Sequence, residues 1–83
     1  MFSIFFTRKG LKDLERLPAH IQMRIKKKLI DYAASENPLT FAKPLINLPP
    51  ATNRFRVGKY RISFFIHNKT IFVERVELRG EAY

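Results

Sequence analysis

The 83-residue chain contains no cysteine, which excludes disulfides and thiolate metal sites and removes any pointer to an oxidising compartment. Its two histidines, His20 and His67, have no partner at ligand spacing and no cluster of carboxylates beside them, which argues against a bound metal. Long hydrophobic runs are missing too. The longest, such as Ile4–Phe6, are far too short to span a bilayer, and no basic segment followed by an apolar core marks a signal peptide, so the expected location is the cytoplasm. Internal repeats and low-complexity segments are absent, as are a P-loop, a nucleophile elbow and a dinucleotide fingerprint. Acid is the last scarcity. The formal net charge is +9, and from Asn37 to Val73 stand Lys43, Arg54, Arg56, Lys59, Arg61 and Lys69 with no Asp or Glu among them. A field of one sign favours a polyanionic partner such as nucleic acid, a ribonucleoprotein surface or an acidic protein.

The chain has enough apolar material to fold. With 46% hydrophobic residues and eight phenylalanines, residues 1–83 are expected to form a single domain around one small core. Phe2, Ile4 and Phe6 alternate with Ser3 and Phe5, which reads as a first strand, and Thr7 is placed to cap a helix. Leu11, Leu14 and Leu17 then recur at helical spacing until Pro18. A second helix, about Pro18 to Ser35, carries Ile21, Ile25, Leu29 and Tyr32 as one apolar stripe, with Arg24, Lys27 and Lys28 on its other side. So short a connection makes the two helices antiparallel neighbours whose apolar face needs a sheet to cover it. Asn37-Pro38 ends the second helix, and four of the five prolines fall between Pro38 and Pro50. That stretch reads as an ordered extended connection, with Leu39, Phe41, Leu45, Ile46 and Leu48 expected to pack over the core edge.

The segment Asn53–Phe65, NRFRVGKYRISFF, is the centre of the sequence. Gly58-Lys59 between two alternating runs signals a hairpin, pairing Val57 with Tyr60, Arg56 with Arg61, Phe55 with Ile62 and Arg54 with Ser63. Period two then puts Phe55, Val57, Tyr60 and Ile62 on one face and Arg54, Arg56, Arg61 and Ser63 on the other. Like charges directly opposite one another destabilise a sheet. A fold that keeps Arg56 beside Arg61 is holding them for an anion. A further turn at Asn68-Lys69 leads into a strand from Thr70 to about Glu77, with Phe72 expected beside Phe65 and Glu74 beside Ser63. This register turns Arg75 towards the core unless a bulge intervenes or the residue lies beyond the helices' cover.

Guanidinium groups grip phosphate at two points and stabilise charge on a pentacoordinate phosphorus, but they do not accept protons. Arg79 and Tyr83, four residues apart in the tail, are candidates to close over the arginine face, with Tyr83 as proton acceptor or as a stacking ring. Lys59 at the hairpin tip is within reach of a phosphate, although a solvated turn lysine is the plainer reading. His67 shares the arginine face by parity but lies three pleats beyond Arg61, and His20 reads as a surface residue. The run Arg24, Lys26, Lys27, Lys28 reads as a solvated helix face, with a secondary contact to ribosomal RNA as its functional alternative. Phe2, Phe5, Phe6, Phe55 and Phe64 are expected in the core.

The order of strand, helical hairpin, FAKPLINLPPATNRFRVGKYRISFFI and a closing VELRGEAY resembles the RelE/ParE superfamily of toxins from type II toxin–antitoxin pairs over nearly the whole chain. Its most specific parts are Lys43–Pro49, the basic-x-basic-x-Gly-x-Tyr-Arg hairpin and the terminal Arg-x-x-x-Tyr. The resemblance implies an α+β fold, with an N-terminal strand and an antiparallel helical hairpin packed on one face of a three- to four-stranded, mostly antiparallel sheet. The RelE branch implies a ribosome-dependent mRNA endonuclease that needs no cofactor. In it Arg56 and Arg61 stabilise the scissile phosphate, Arg54, Lys43, Lys59 and Lys27 bind RNA, Arg79 orients the leaving side, and Tyr83 acts as base or stacking residue. Arginines stand at positions 54 and 56 where relatives often have lysine, Leu78 replaces a frequent histidine and Glu77 a basic residue. These departures leave Tyr83 as the proton acceptor. The final helix of some relatives is not expected. The implied partners are mRNA on the ribosome and a cognate antitoxin whose acidic or amphipathic segment covers the basic sheet. The alternatives are a ParE-like protein that blocks DNA gyrase and an inactive relative that binds antitoxin alone.

Overall fold

The computed structural model describes residues 1–78. It contains strands β1 (Ser3–Phe6), β2 (Ala42–Pro44), β3 (Asn53–Val57), β4 (Tyr60–His67) and β5 (Thr70–Leu78), with helices α1 (Arg8–Glu15) and α2 (Ala19–Ala34). The strands form one sheet in the order β1-β5-β4-β3-β2, antiparallel except where β1 runs parallel to β5. The sheet therefore exceeds the three to four strands expected. The addition is β2, whose three residues pair with β3 inside the proline-rich connection, at a sheet edge where Pro44 is tolerated. Both helices lie on one face. Their Leu14, Ile25, Leu29 and Ala33 close a core with Phe55, Val57, Ile62, Phe64, Ile71, Val73 and Val76. The stacked rings of Phe55 and Phe64, 4.1 Å apart between centroids, sit at its centre. No helix among the described residues is long and apolar enough to cross a membrane.

Local chemistry accounts for the elements. Thr7 caps α1 by accepting from the Gly10 amide, as its position before the apolar period predicts. Gly10 is needed for another reason: a β-carbon there would run into the Val73 carbonyl, so only glycine lets α1 settle onto β5. The hairpin register is the expected one, with Val57 opposite Tyr60, Arg56 opposite Arg61, Phe55 opposite Ile62 and Arg54 opposite Ser63. Gly58 takes φ +59° at the first loop position, and Asn68 and Lys69 take φ 48° and 57° at the next turn, the left-handed pair that suits strand twist.

Three expectations change. The β4–β5 register shifts between Ser63 and Phe64: Phe64 faces Val73 while Ser63 faces Arg75, so Glu74 is the extra residue of a bulge and does not sit beside Ser63. The bulge returns Val76 to the core and carries Arg75 to the helix-free face. Helix α1 holds it from both sides, because the Thr7 amide and hydroxyl donate to the Val73 carbonyl and the Val76 amide donates to the Asp13 carboxylate at 3.1 Å. Phe5 is not a core residue but is 55% exposed on that same face, since β1 parity leaves it opposite the helices. The connection covers the core less than its apolarity suggests. Leu39 and Phe41 are half exposed and Ile46 is 82% exposed, because a 3₁₀ turn at Pro38–Phe41 and the short β2 lead the chain along the sheet edge.

Candidate phosphate-binding face

The register assembles two cross-strand rows on the face that carries no helix. Lys43 on β2 faces Arg54 on β3, which faces Ser63 on β4, which faces Arg75 on β5. One pleat on, Arg56 faces Arg61, which faces Glu77. Five cations from four strands thus lie on one surface, with Glu77 at its margin and Glu74 beside Arg75 in the bulge. Pleat parity puts Lys43, Arg54, Arg56 and Arg61 there, and the bulge adds Arg75.

A cleft of about 380 Å³ opens over the rows, lined by Arg54 and Arg61 and by the connecting residues Pro44 to Leu48. A second hollow of about 120 Å³, lined by Phe41, Lys43, Arg54 and Arg56, continues it towards the β2 edge. Arg54 is anchored through a guanidinium nitrogen that donates to the Pro44 carbonyl at 3.3 Å, which ties the cleft wall to the cationic row. The connection is closed at its base, where the Leu45 amide donates to the Thr52 carbonyl and the Thr52 amide to the Phe64 carbonyl. Ser63 is fully buried in the middle of its row, and its hydroxyl has no hydrogen-bond partner among the described residues. The chemistry is that of an anion site: planar, permanently charged forks in a partly desolvated cleft. Among the described residues no group of His, Cys, Asp or Glu is arranged to hold a metal. The Tyr32 hydroxyl is pushed above its ordinary value by burial and by the neighbouring Asp31. That ring lies on the core side, tilted over Phe55, and takes no part in the face.

Of the residues singled out in the sequence, Lys43, Arg54, Arg56 and Arg61 are brought together. Lys59 stands exposed at the hairpin tip, one residue from Gly58, over which the Arg24 guanidinium lies. Lys27 is exposed on α2, across the sheet from the rows. His67 faces Thr70 at the far end of β4, away from the arginines. Arg79 and Tyr83 lie outside the described residues. The face also gains Arg75, which strict alternation had turned inward. Its signal is in the sequence nevertheless: the apolar positions of β5 switch from odd at Ile71 and Val73 to even at Val76 and Leu78, as a bulge requires.

Comparison with known proteins gives a consistent answer. No protein-family model matches the chain. It is 34% identical over 83 residues to toxin RelE3 of Methanocaldococcus jannaschii, covering 96% of this chain and 93% of that protein. The toxin–antitoxin complex RelBE2 of Mycobacterium tuberculosis superposes with a TM-score of 0.79 and 30% identity, over 94% of this chain and 98% of that one. The RelB–RelE antitoxin–toxin complex of Methanococcus jannaschii superposes with a TM-score of 0.71 and 30% identity, over 95% and 94%. Five strands in this order, two helices on one face, a cationic opposite face and likeness along almost the whole chain make it a member of the RelE toxin family within the RelE/ParE superfamily.

Proposed function

We propose that this toxin is an endoribonuclease that cuts mRNA on the ribosome in the cytoplasm without a metal, as a single domain over residues 1–83, and that a cognate antitoxin neutralises it by covering the cationic face. The observation that supports this most strongly is the direct opposition of Arg56 and Arg61, flanked by the row Lys43–Arg54–Ser63–Arg75. Stacking cations costs stability, and a phosphodiester is the ligand that recovers it. Relatives that carry RelE names and crystallise with RelB support both the branch and the partner.

In the proposed reaction the 2′-oxygen of the nucleotide before the cut attacks the adjacent phosphorus, and the bond from phosphorus to the 5′-oxygen breaks. A 2′,3′-cyclic phosphate results, and the departing 5′-oxygen takes a proton from solvent to become a 5′-hydroxyl. Arg56 and Arg61 stabilise the charge that builds on the phosphoryl oxygens, a contribution worth about a hundred- to a thousand-fold per donor. Arg54, Lys43 and Arg75 bind the flanking phosphates, while Lys59 and Lys27 make outlying contacts with RNA. By the family pattern Arg79 orients the leaving side, and Tyr83 takes the 2′-proton or stacks on a base. Primer extension on a reporter message in a purified translation system tests this. Discrete cuts by the wild type that vanish with Arg61→Ala, the fold remaining intact by circular dichroism, support the reading; no cuts at any ribosome concentration overturn it and direct attention to DNA gyrase supercoiling.

A further inference from the structure

Beyond the arginine rows the helix-free face changes character. Phe5 on β1 faces Phe72 on β5, which faces Phe65 on β4. The Phe65 and Phe72 rings stack at 4.9 Å with 10° between their planes, and Phe72 meets Phe5 edge-on at 5.5 Å and 62°. None of the three belongs to the core cluster, and Phe5 leaves 55% of its surface in solvent. Cross-strand aromatic pairs stabilise a sheet, which explains why the rings touch. It does not explain a third ring left exposed at the edge.

What brackets the row identifies its ligand. Along β4 the same face reads Arg61, Ser63, Phe65, His67, each step two residues or roughly 7 Å. The aromatic row is therefore a single pleat from the row Lys43–Arg54–Ser63–Arg75, with Glu74 between Phe72 and Arg75 on β5, and its other side is bounded by His67; Lys69 Nζ lies over the Phe2 ring, 5.8 Å from its centroid. The remaining positions at this end of the face, Ser3 and Thr70, are neutral. A step of that length is on the scale of one nucleotide of an extended strand. Rings one pleat from a row of guanidinium groups suit a ligand that alternates flat faces with negative charge, as a single strand of RNA does. Aromatic side chains on an open sheet that stack successive unpaired bases are a recurrent solution to binding single-stranded RNA. Here the rings already brace one another, so little side-chain freedom is lost on binding.

We propose that Phe5, Phe72 and Phe65 form a stacking platform for unpaired bases flanking the scissile phosphate, and that the platform helps to set where a message is cut. The proposal rests on the nuclease reading only in taking the arginine rows to hold phosphates of the same strand. The test measures binding without cleavage: fluorescence anisotropy with a short labelled 2′-O-methyl oligoadenylate, whose attacking hydroxyl is blocked, against an abasic oligomer with the same backbone. The wild type should bind the oligoadenylate more tightly than the abasic strand. Phe5→Ala, at a position outside the core, should weaken oligoadenylate binding roughly fivefold or more, at about 1–3 kcal/mol per stacked base, leave abasic binding unchanged, and be rescued by Phe5→Tyr. Equal affinity of the wild type for the two strands, or an equal loss on both in Phe5→Ala, would overturn the platform. Unchanged RNA binding in Phe5→Ala with weakened binding to a co-expressed antitoxin would assign the row to a protein partner and overturn it as well. A wild type that binds bases in this way yet cuts no message leaves the platform standing and removes the nuclease reading; one that cuts while binding both strands alike removes the platform alone.

Discussion

Asp13 is the residue on which α1, the β5 bulge and the placement of Arg75 converge. Its carboxylate is 7% exposed and accepts at one oxygen from the Val76 amide, 3.1 Å away, and at the other from Lys9 Nζ at 2.6 Å. In Asp13→Ala the Val76 amide loses its partner inside the fold, a loss of about 1–3 kcal/mol with further stabilisation lost because the acceptor is charged. We expect a loss of about 2–3 kcal/mol. At about 4–8 °C per kcal/mol for a domain of this size, the midpoint should fall by roughly 10–20 °C. Asp13→Asn separates the causes. It keeps a side-chain oxygen for the Val76 amide and gives up that acceptor's charge together with the pairing with Lys9, whose side chain is 53% exposed and contributes below about 1 kcal/mol, so its loss should be clearly smaller than that of Asp13→Ala. Urea denaturation of the three proteins, with slopes compared, measures both values. An Asn variant as unstable as the Ala variant, or an Ala variant within about 0.5 kcal/mol of wild type, would refute the role assigned to the amide contact.

Gly10→Ala should be destabilised despite the better helix propensity of alanine, because its β-carbon meets the Val73 carbonyl; thermal melts should show a lowered midpoint, and a raised one would contradict the packing. Arg75→Ala should weaken binding of the 2′-O-methyl oligoadenylate and reduce the slope of log affinity against log salt by about 0.7, the expectation for one phosphate contact to a single strand; an unchanged slope would remove Arg75 from the face. Lys27→Ala, on the opposite side of the sheet, should leave that slope unaltered while weakening the cutting of ribosome-bound message if α2 touches ribosomal RNA.

The hairpin was legible because its determinants are local: a two-residue loop with glycine first, strict alternation on both sides, and a pairing that follows by counting. The Thr7 cap was legible for the same reason. What escaped depends on partners distant in the chain. Strand β2 forms only because β3 offers Lys43 an edge to pair with, and three residues among prolines carry no period of their own. The bulge at Glu74 answers to Thr7 and Asp13, sixty-odd positions away, although the parity switch from Val73 to Val76 records it. Apolarity alone puts Phe5 in the core, against the parity of its own strand; parity is the better guide, since composition does not tell an exposed phenylalanine from a buried one. Gly10 gave no sign, because a close approach of helix to strand is a property of the packed pair.

Chemistry by the 2′-oxygen is the central claim, and one substitution in the substrate addresses it. A reporter message bearing a single 2′-deoxynucleotide immediately before a mapped cut, translated in the purified system with the wild-type protein, should lose that cut and keep its neighbours, with 5′-hydroxyl ends on the remaining fragments. Undiminished cleavage at the deoxy position would mean that another nucleophile attacks the phosphorus and would contradict the mechanism assigned to the arginine face.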